Sequence, residues 1–328
     1  MVHSRKILCA PDMWGARCCA FAYASIAKEA WPEVLRPALA DKQGKALFIG
    51  TPRGYDHFYD LYQAAQKQAE WAAFQFTTEE GGNVPAAELA AATHDLDEKT
   101  YRQEFQANFE NLTGGLVYYA FDRTGNVEPQ RYNPGLPLFW SLDFNINPMC
   151  SVIGQRDGER VYILDEIVLP DSNTETACLR FFERVALWQR LTRLREVHIY
   201  GDATGNGRNS AASRTDWQIV RDACQREPYR VSFHIGSKNP LVKDRVNCVN
   251  AMLHNRAGQR RLYIDPKCKE LIQDFERVHW SKDSAGNSLV AIDKSDPGRT
   301  HVSDALGYMI SREFGMRPKA GEMPGILF

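Results

Sequence analysis

LFWSLDFNINPMCSVIGQRDGERVYILDEIVL (138–169) reads as three β-strands, Leu138–Phe144, Met149–Gln155 and Arg160–Leu169, joined by the short turns NINP and RDGE. Turns of that length connect antiparallel neighbours, so the three strands form a meander. Downstream, the period changes to that of a helix from Thr174 to Leu194, with Leu179, Phe182, Val185, Ala186 and Gln189 at helical spacing. Val197–Tyr200 and Val231–Ile235 are strand-like and enclose a helix at Asp216–Gln225. Between 241 and 255, Val242, Val246, Val249 and Leu253 recur at 4, 3, 4 spacing, one apolar face of a helix that leaves Lys243, Arg245 and Arg256 for solvent. Strand-like pieces at Arg261–Asp265 and Ser288–Asp293 flank a helix carrying Leu271, Phe275 and Val278. A last helix, Thr300–Glu313, buries Val302, Leu306, Met309 and Ile310. The pattern predicts an α/β fold with a mixed sheet, an antiparallel meander followed by alternating helices and strands, flanked by helices.

Upstream the signals are shorter. A helix is expected over Ala30–Leu39, a strand over Ala46–Ile49 that ends in GTPRG (50–54), a helix over Tyr55–Gln68, a strand over Phe74–Thr77 and an acidic helical region over Pro85–Phe109. Residues 1 to about 28 show no period. Polar residues with Pro and Gly make Asp122–Pro137 the expected linker. The expected division is residues 1–125, residues 126–315 and a mobile tail, 316–328.

With 328 residues and 44% hydrophobic content the chain can build two cores. Its 40 Lys and Arg against 41 Asp and Glu give no overall bias toward an anionic partner, but their distribution does. Lys238 to Lys282 carries net +5, and Glu79 to Glu110 net −6. The eight Cys form no CxxC pair, which argues against zinc and fits thiols in a reducing compartment. No apolar run approaches the ~20 residues a membrane span needs.

Three carboxylates stand out. Asp143 (in SLDFN) and Asp202 (in IYGDATGN) each end an apolar strand-like run, and Asp304 (in THVSDALGY) lies on the last helix. Side chains at strand C-termini face the crevice where α/β sheets bind ligands. Brought together, three carboxylates form an all-oxygen pocket for hard cations, and two such cations can drive phosphodiester hydrolysis. Gly201, Gly205 and Gly207 would let backbone approach a phosphate. His301, three positions before Asp304, shares its helix face with Tyr308. Asp165 and Glu166 are a reserve acidic pair, pointing to opposite faces of their strand. Lys294 and Arg299 are candidates to neutralise a phosphate, and Lys238, Lys243, Arg245, Arg256, Arg260 and Arg208 are the candidate DNA contacts. For each of these residues a cap, a turn or a solvated face is the plain alternative.

The strand order matches an RNase H-like layout, and the chain resembles the large terminase subunit of tailed bacteriophages. The resemblance runs from about Lys28 to Ile310 through AKEAWPEVLRPAL (27–39), LFIGTPRG (47–54), SLDFN, YGDATGN, NPLVKDRVNCVNAMLHNRAG (239–258) and HVSDALGYMI (301–310). It implies a C-terminal nuclease that cuts concatemeric viral DNA in the host cytoplasm, preceded by part of a P-loop-type packaging ATPase. Partners implied are double-stranded DNA, the small terminase subunit and the portal protein, with no membrane role. The implied cofactors are two Mg²⁺ or Mn²⁺ ions, with Asp143 bridging both, Asp202 and Asp304 holding one each, and His301 as an auxiliary residue. Thr51 and Arg53 sit in the counterpart of the ATPase coupling motif.

The chain departs from that pattern too. It has no GxxxxGK[ST] loop, and where an apolar strand ending in Asp-Glu would precede AKEAW it has Phe21-Ala22-Tyr23-Ala24-Ser25. The sequence therefore reads as a front-truncated, prophage-remnant-like member with its nuclease part complete. Two alternatives remain, another RNase H-like nuclease of the resolvase or transposase type, and an inactive DNA- or portal-binding remnant. Without a phosphate cradle, ATP turnover should not exceed a buffer control. Turnover that disappears in Thr51→Ala would contradict this reading.

Overall fold

β1 (Arg5–Cys9), β2 (Cys18–Ala22), β3 (Lys45–Gly50) and β4 (Ala72–Phe76) form a mixed sheet in the order β2-β3-β1-β4. β2 runs parallel to β3, and β1 is antiparallel to both β3 and β4. The structure, a computed structural model, describes residues 5–9, 18–22, 30–40, 44–52, 57–110, 115–145, 147–188, 195–207, 214–282 and 288–315. Two of its strands lie in the first 28 residues, where the sequence shows no period. The helix expected at Ala30–Leu39 begins with a π-helical Ala30–Leu35 and continues as α1 (Arg36–Ala40). α2 (His57–Ala65) buries Phe58 in one cluster with Phe48, and Trp31 meets Phe48 edge-on at 4.8 Å between centroids. α3 (Thr78–Gly81) starts at a capping box between Thr77 and Glu80; α4 (Ala86–Asp95) and α5 (Glu98–Gln106) follow, the latter capped by Asp97. These elements belong to one unit, residues 1–114 with 255–259. The other comprises residues 115–254 and 260–328.

The expected linker is part of the second unit. α6 (Arg123–Asn126) lies within it, and Asn126, fully buried, donates to the carbonyls of Leu253 and Leu262. Its Pro and Gly mark turns packed on a core, not a free connection.

The meander is present. β5 (Leu138–Asp143), β6 (Met149–Asp157) and β7 (Arg160–Leu169) pair antiparallel. After α7 (Thr174–Trp188), β8 (Glu196–Gly201) joins β5 in parallel; α8 (Asp216–Gln225) and β9 (Arg230–Phe233) follow, β9 parallel to β8. α9 (Val242–Leu253) leads to β10 (Leu262–Ile264), parallel to β7, and the sheet order is β10-β7-β6-β5-β8-β9. α10 (Lys269–Arg277), a hairpin of β11 (Trp280–Lys282) and β12 (Ser288–Ile292), and α11 (His301–Phe314) complete the fold. It is a mixed α/β fold with a six-stranded sheet, consistent with the RNase H-like expectation. β11 was not expected from the sequence.

Strand alternation divides the unit into two cores. Leu138, Trp140 and Leu142 face α7 and α8, whereas Phe139, Ser141 and Asp143 face the side of α9, α10 and α11. Two expected helix faces need correction. α7 buries Ala177, Cys178, Phe181 and Val185, leaving Leu179 more than half exposed. α9 buries Arg245 along with Val246, Val249 and Leu253. No helix among the described residues is long and apolar enough to cross a membrane.

Phe181 is fully buried and stacks on Trp140 with centroids 4.1 Å apart. Phe181→Ala should therefore destabilise the second unit by about 3–5 kcal/mol in urea denaturation. A loss below about 1 kcal/mol would mean that the two rings do not hold α7 to the sheet.

Candidate active site

The sheet brings Asp143 and Asp202 together through backbone register alone. β5 and β8 are parallel neighbours with Leu142 opposite Gly201, and the Asp202 N–H donates to the Leu142 carbonyl at 3.2 Å. Gly201 has φ +154°, and a Cβ there would meet the Leu142 oxygen at 2.5 Å. The glycine thus lets the end of β8 press against β5. α11 crosses this face; its Ala305 carbonyl accepts a 2.5 Å hydrogen bond from the buried Ser141 hydroxyl, which sets the first helical turn, with His301 and Asp304, over the strand ends. Thr300, just before it, is buried at φ +77°, a strained conformation for a residue with a Cβ.

Each carboxylate has protein partners. Asp143 Oδ2 meets His301 Nδ1 at 2.9 Å, and the other ring nitrogen of His301 lies 3.1 Å from the Asn145 amide. Asp202 Oδ1 accepts from the Thr204 N–H at 2.6 Å and the Asn239 amide at 2.7 Å. Asp304 Oδ1 accepts from Arg245 at 2.5 Å, and its Oδ2 lies 3.9 Å from Lys294 Nζ. Burial first, and then the field of Asp143, push the Asp304 carboxyl up to about 6, against Arg245, Lys294 and His301. The hydrogen bond to Asp143 raises His301 above its ordinary value, against burial. Tyr308 is raised chiefly by burial, with Asp143, Asp202 and Asp304 adding to the rise against Arg245, and its hydroxyl lies 3.5 Å from Asp143 Oδ1. Among the described residues, no three His, Cys, Asp or Glu side chains converge closely enough to enclose an ion.

The chain is 22% identical over 301 residues to the large terminase subunit of Escherichia phage T5, covering 88% of this chain and 63% of that protein. The chain is a large terminase subunit homologue. It thus spans less than two thirds of that relative's length. The large terminase of a thermophilic bacteriophage aligns with a TM-score of 0.57 at 15% identity, over 92% of this chain and 70% of that one. The same protein in complex with ATP-γ-S aligns with a TM-score of 0.56, again at 15% identity, over 85% and 67%. Both likenesses concern the fold. No family model matches the chain.

Other candidates in the homologue fall elsewhere. Asp165 is paired with Arg184 of α7, on the face away from Asp143. Glu166 lies on the nearer face but accepts the N–H groups of Glu270 and Leu271, capping α10; burial pushes it up to about 7 against those bonds. Neither reaches the three carboxylates by a hydrogen bond the structure records. Arg299, expected to face phosphate, binds Glu270 at 2.6 Å and Asp274 at 3.4 Å. Arg245 is no surface contact: it is 5% exposed and paired with Asp304, because it sits at the i+3 position of the stripe that begins at Val242. Arg256 pairs with Glu98 and Arg260 with Asp122. Lys238 is exposed and Lys243 half-buried. Arg208 and Arg53 lie outside the described residues, as does the expected tail.

Sequence reasoning missed Arg245 as a partner of Asp304, and Asn145 and Asn239 as partners of His301 and Asp202. The place of Arg245 three positions after Val242 in the apolar stripe was a signal for its burial, though not for its partner. The two Asn residues lie in loops, where nothing periodic marks them.

Asp304, Glu166 and His301 all hold their protons to higher pH in the folded chain than in the unfolded one. Each therefore makes the fold more stable at low pH, an advantage that disappears as pH rises through its folded value. For Asp304 the loss is on the order of 3 kcal/mol. The metal-free melting temperature should fall between pH 5 and pH 8, with a shallower fall in Asp304→Asn. A rise across that interval would contradict the assignment.

Proposed function

We propose that this chain is a metal-dependent DNA endonuclease of the terminase type, acting on concatemeric viral DNA in the bacterial cytoplasm. The reading is supported by the order of the sheet, in which Asp143 and Asp202 end neighbouring parallel strands and α11, with Asp304, is bonded to the same face through Ser141. The donor set fits hard divalent cations: three carboxylates, no thiolate, and a buried Asp304 whose charge is disfavoured unless a cation compensates it. Asp143, Asp202 and Asp304 would hold Mg²⁺ or Mn²⁺. Two such ions, when bound, activate water and neutralise charge on the phosphate.

The chain's own groups supply the rest. His301 orients Asp143 through Nδ1 and is itself held by Asn145. Asn239 fixes the Asp202 loop from the start of the basic segment. Lys294, 64% exposed and beside Asp304, is the exposed cation assigned to a non-bridging phosphate oxygen. Lys238, Lys243, Arg256 and Arg260 are the proposed DNA contacts, held to backbone geometry more than to base sequence. The first unit is assigned to the end of an ATPase domain, with Thr51 in its coupling motif, and the small terminase subunit and portal protein are the proposed partners.

A second reading has its own support. Every one of the three carboxylates is engaged by protein groups, as in a DNA- or portal-binding protein without catalysis. Supercoiled plasmid separates the two readings. The nuclease reading expects Mn²⁺- or Mg²⁺-dependent cutting that EDTA stops and Asp143→Asn lowers at least about 100-fold. Cutting by Asp143→Asn at the wild-type rate, or none by the wild type, would refute it.

A further inference from the structure

Arg245 occupies a position where an aliphatic side chain would complete the apolar stripe of α9. Instead its guanidinium, 5% exposed, donates to Asp304 Oδ1 at 2.5 Å and lies 4.8 Å from the centre of the Tyr308 ring. Its Nε is buried with no hydrogen-bond partner among the described residues. A buried ion pair adds little stability over a well-packed hydrophobic substitute, and less with a donor unmet. Stability alone does not account for this arginine.

α11 is built to receive it. A Cβ at Gly307 would come within 2.8 Å of both Cγ and Cδ of Arg245, so the absent side chain leaves the groove in which the arginine stem lies. Glycine in a helix interior is unfavourable by about 1 kcal/mol relative to alanine. A helix carrying that glycine one turn from Asp304 is shaped for the arginine at the expense of its own propensity. The cation on the other carboxylate oxygen is of a different kind: Lys294, exposed and 3.9 Å from Oδ2.

We infer that Arg245 is a positioning residue that clamps Asp304 by Oδ1, so that Oδ2 is the oxygen offered to a divalent cation, while Lys294 is the exchangeable charge that this cation displaces. The inference rests on the nuclease reading, since it concerns how the third carboxylate of that site is presented. It gives the two basic residues opposite effects. An arginine that merely competed with the metal would, on removal, leave a tighter site. A clamp, on removal, leaves a weaker one.

The test is a Mn²⁺ titration of the full-length protein, followed by electron paramagnetic resonance and calorimetry, for wild type, Arg245→Met, Gly307→Ala and Lys294→Met. Arg245→Met should weaken one of the two ions at least about 10-fold and leave the other unchanged, a selectivity that general loss of structure would not produce. Gly307→Ala displaces the arginine stem and should weaken the same ion several-fold even though alanine is the better helix former, which keeps the test valid if Arg245→Met does not fold. Lys294→Met should tighten binding several-fold. Equal or tighter Mn²⁺ binding in both Arg245→Met and Gly307→Ala would overturn the clamp while leaving the nuclease reading in place. A wild-type protein that binds no Mn²⁺ would remove that reading, and the clamp with it.

Discussion

The second unit is organised around like charges held in a poorly solvated place. Asp143 and Asp304 are each less than a tenth exposed and lie within one another's field, with Asp202 at the next strand end. Bringing carboxylates together away from water is unfavourable unless each is compensated. Arg245 from α9, His301 from α11 and Asn239 from the loop before α9 supply that compensation. Gly201 and Gly307 are small because the sheet and helix must close over these pairs. Further out, carboxylates anchor the supporting helices. Glu166 caps α10, and Asp274 on α10 accepts the Ser303 N–H at the start of α11, with Arg299 beside it. Position is thus handed from β7 through α10 to the turn that carries His301 and Asp304.

Much of this was readable in the sequence, and the exceptions have physical reasons. The meander followed from turns too short for any crossover, and α11 from Val302, Leu306, Met309 and Ile310, all of which are buried. The three carboxylates were singled out by their places at strand ends and in a first helical turn. What could not be read was what each would pair with. Arg245 looked like a solvent-facing base because a period of apolar residues ignores the charged residue between them. The linker was misplaced because Asn126 and its neighbours have the composition of a loop while making buried hydrogen bonds 127 and 136 residues away in sequence. In α7 several register choices satisfied helical spacing, and only contact with the sheet selects Phe181 over Leu179 for burial.

Homology to the large terminase subunit and the arrangement of carboxylates are separate lines of support for one reading. The first covers 63% of the phage T5 protein, and the second depends on residues of this chain alone. The proposed cation is where the two would meet. The protein's own charges satisfy the carboxylates singly, and a divalent ion would have to take over part of that role at all three.

That exchange can be seen directly. Crystals soaked in Mn²⁺ and measured by anomalous scattering should show two peaks about 3.5–4 Å apart between Asp143, Asp202 and Asp304, with His301 still bonded to Asp143 and Arg245 still bonded to Asp304 Oδ1. Soaked crystals with no anomalous density between the three carboxylates, and with the Lys294 contact to Asp304 unchanged, would contradict the account.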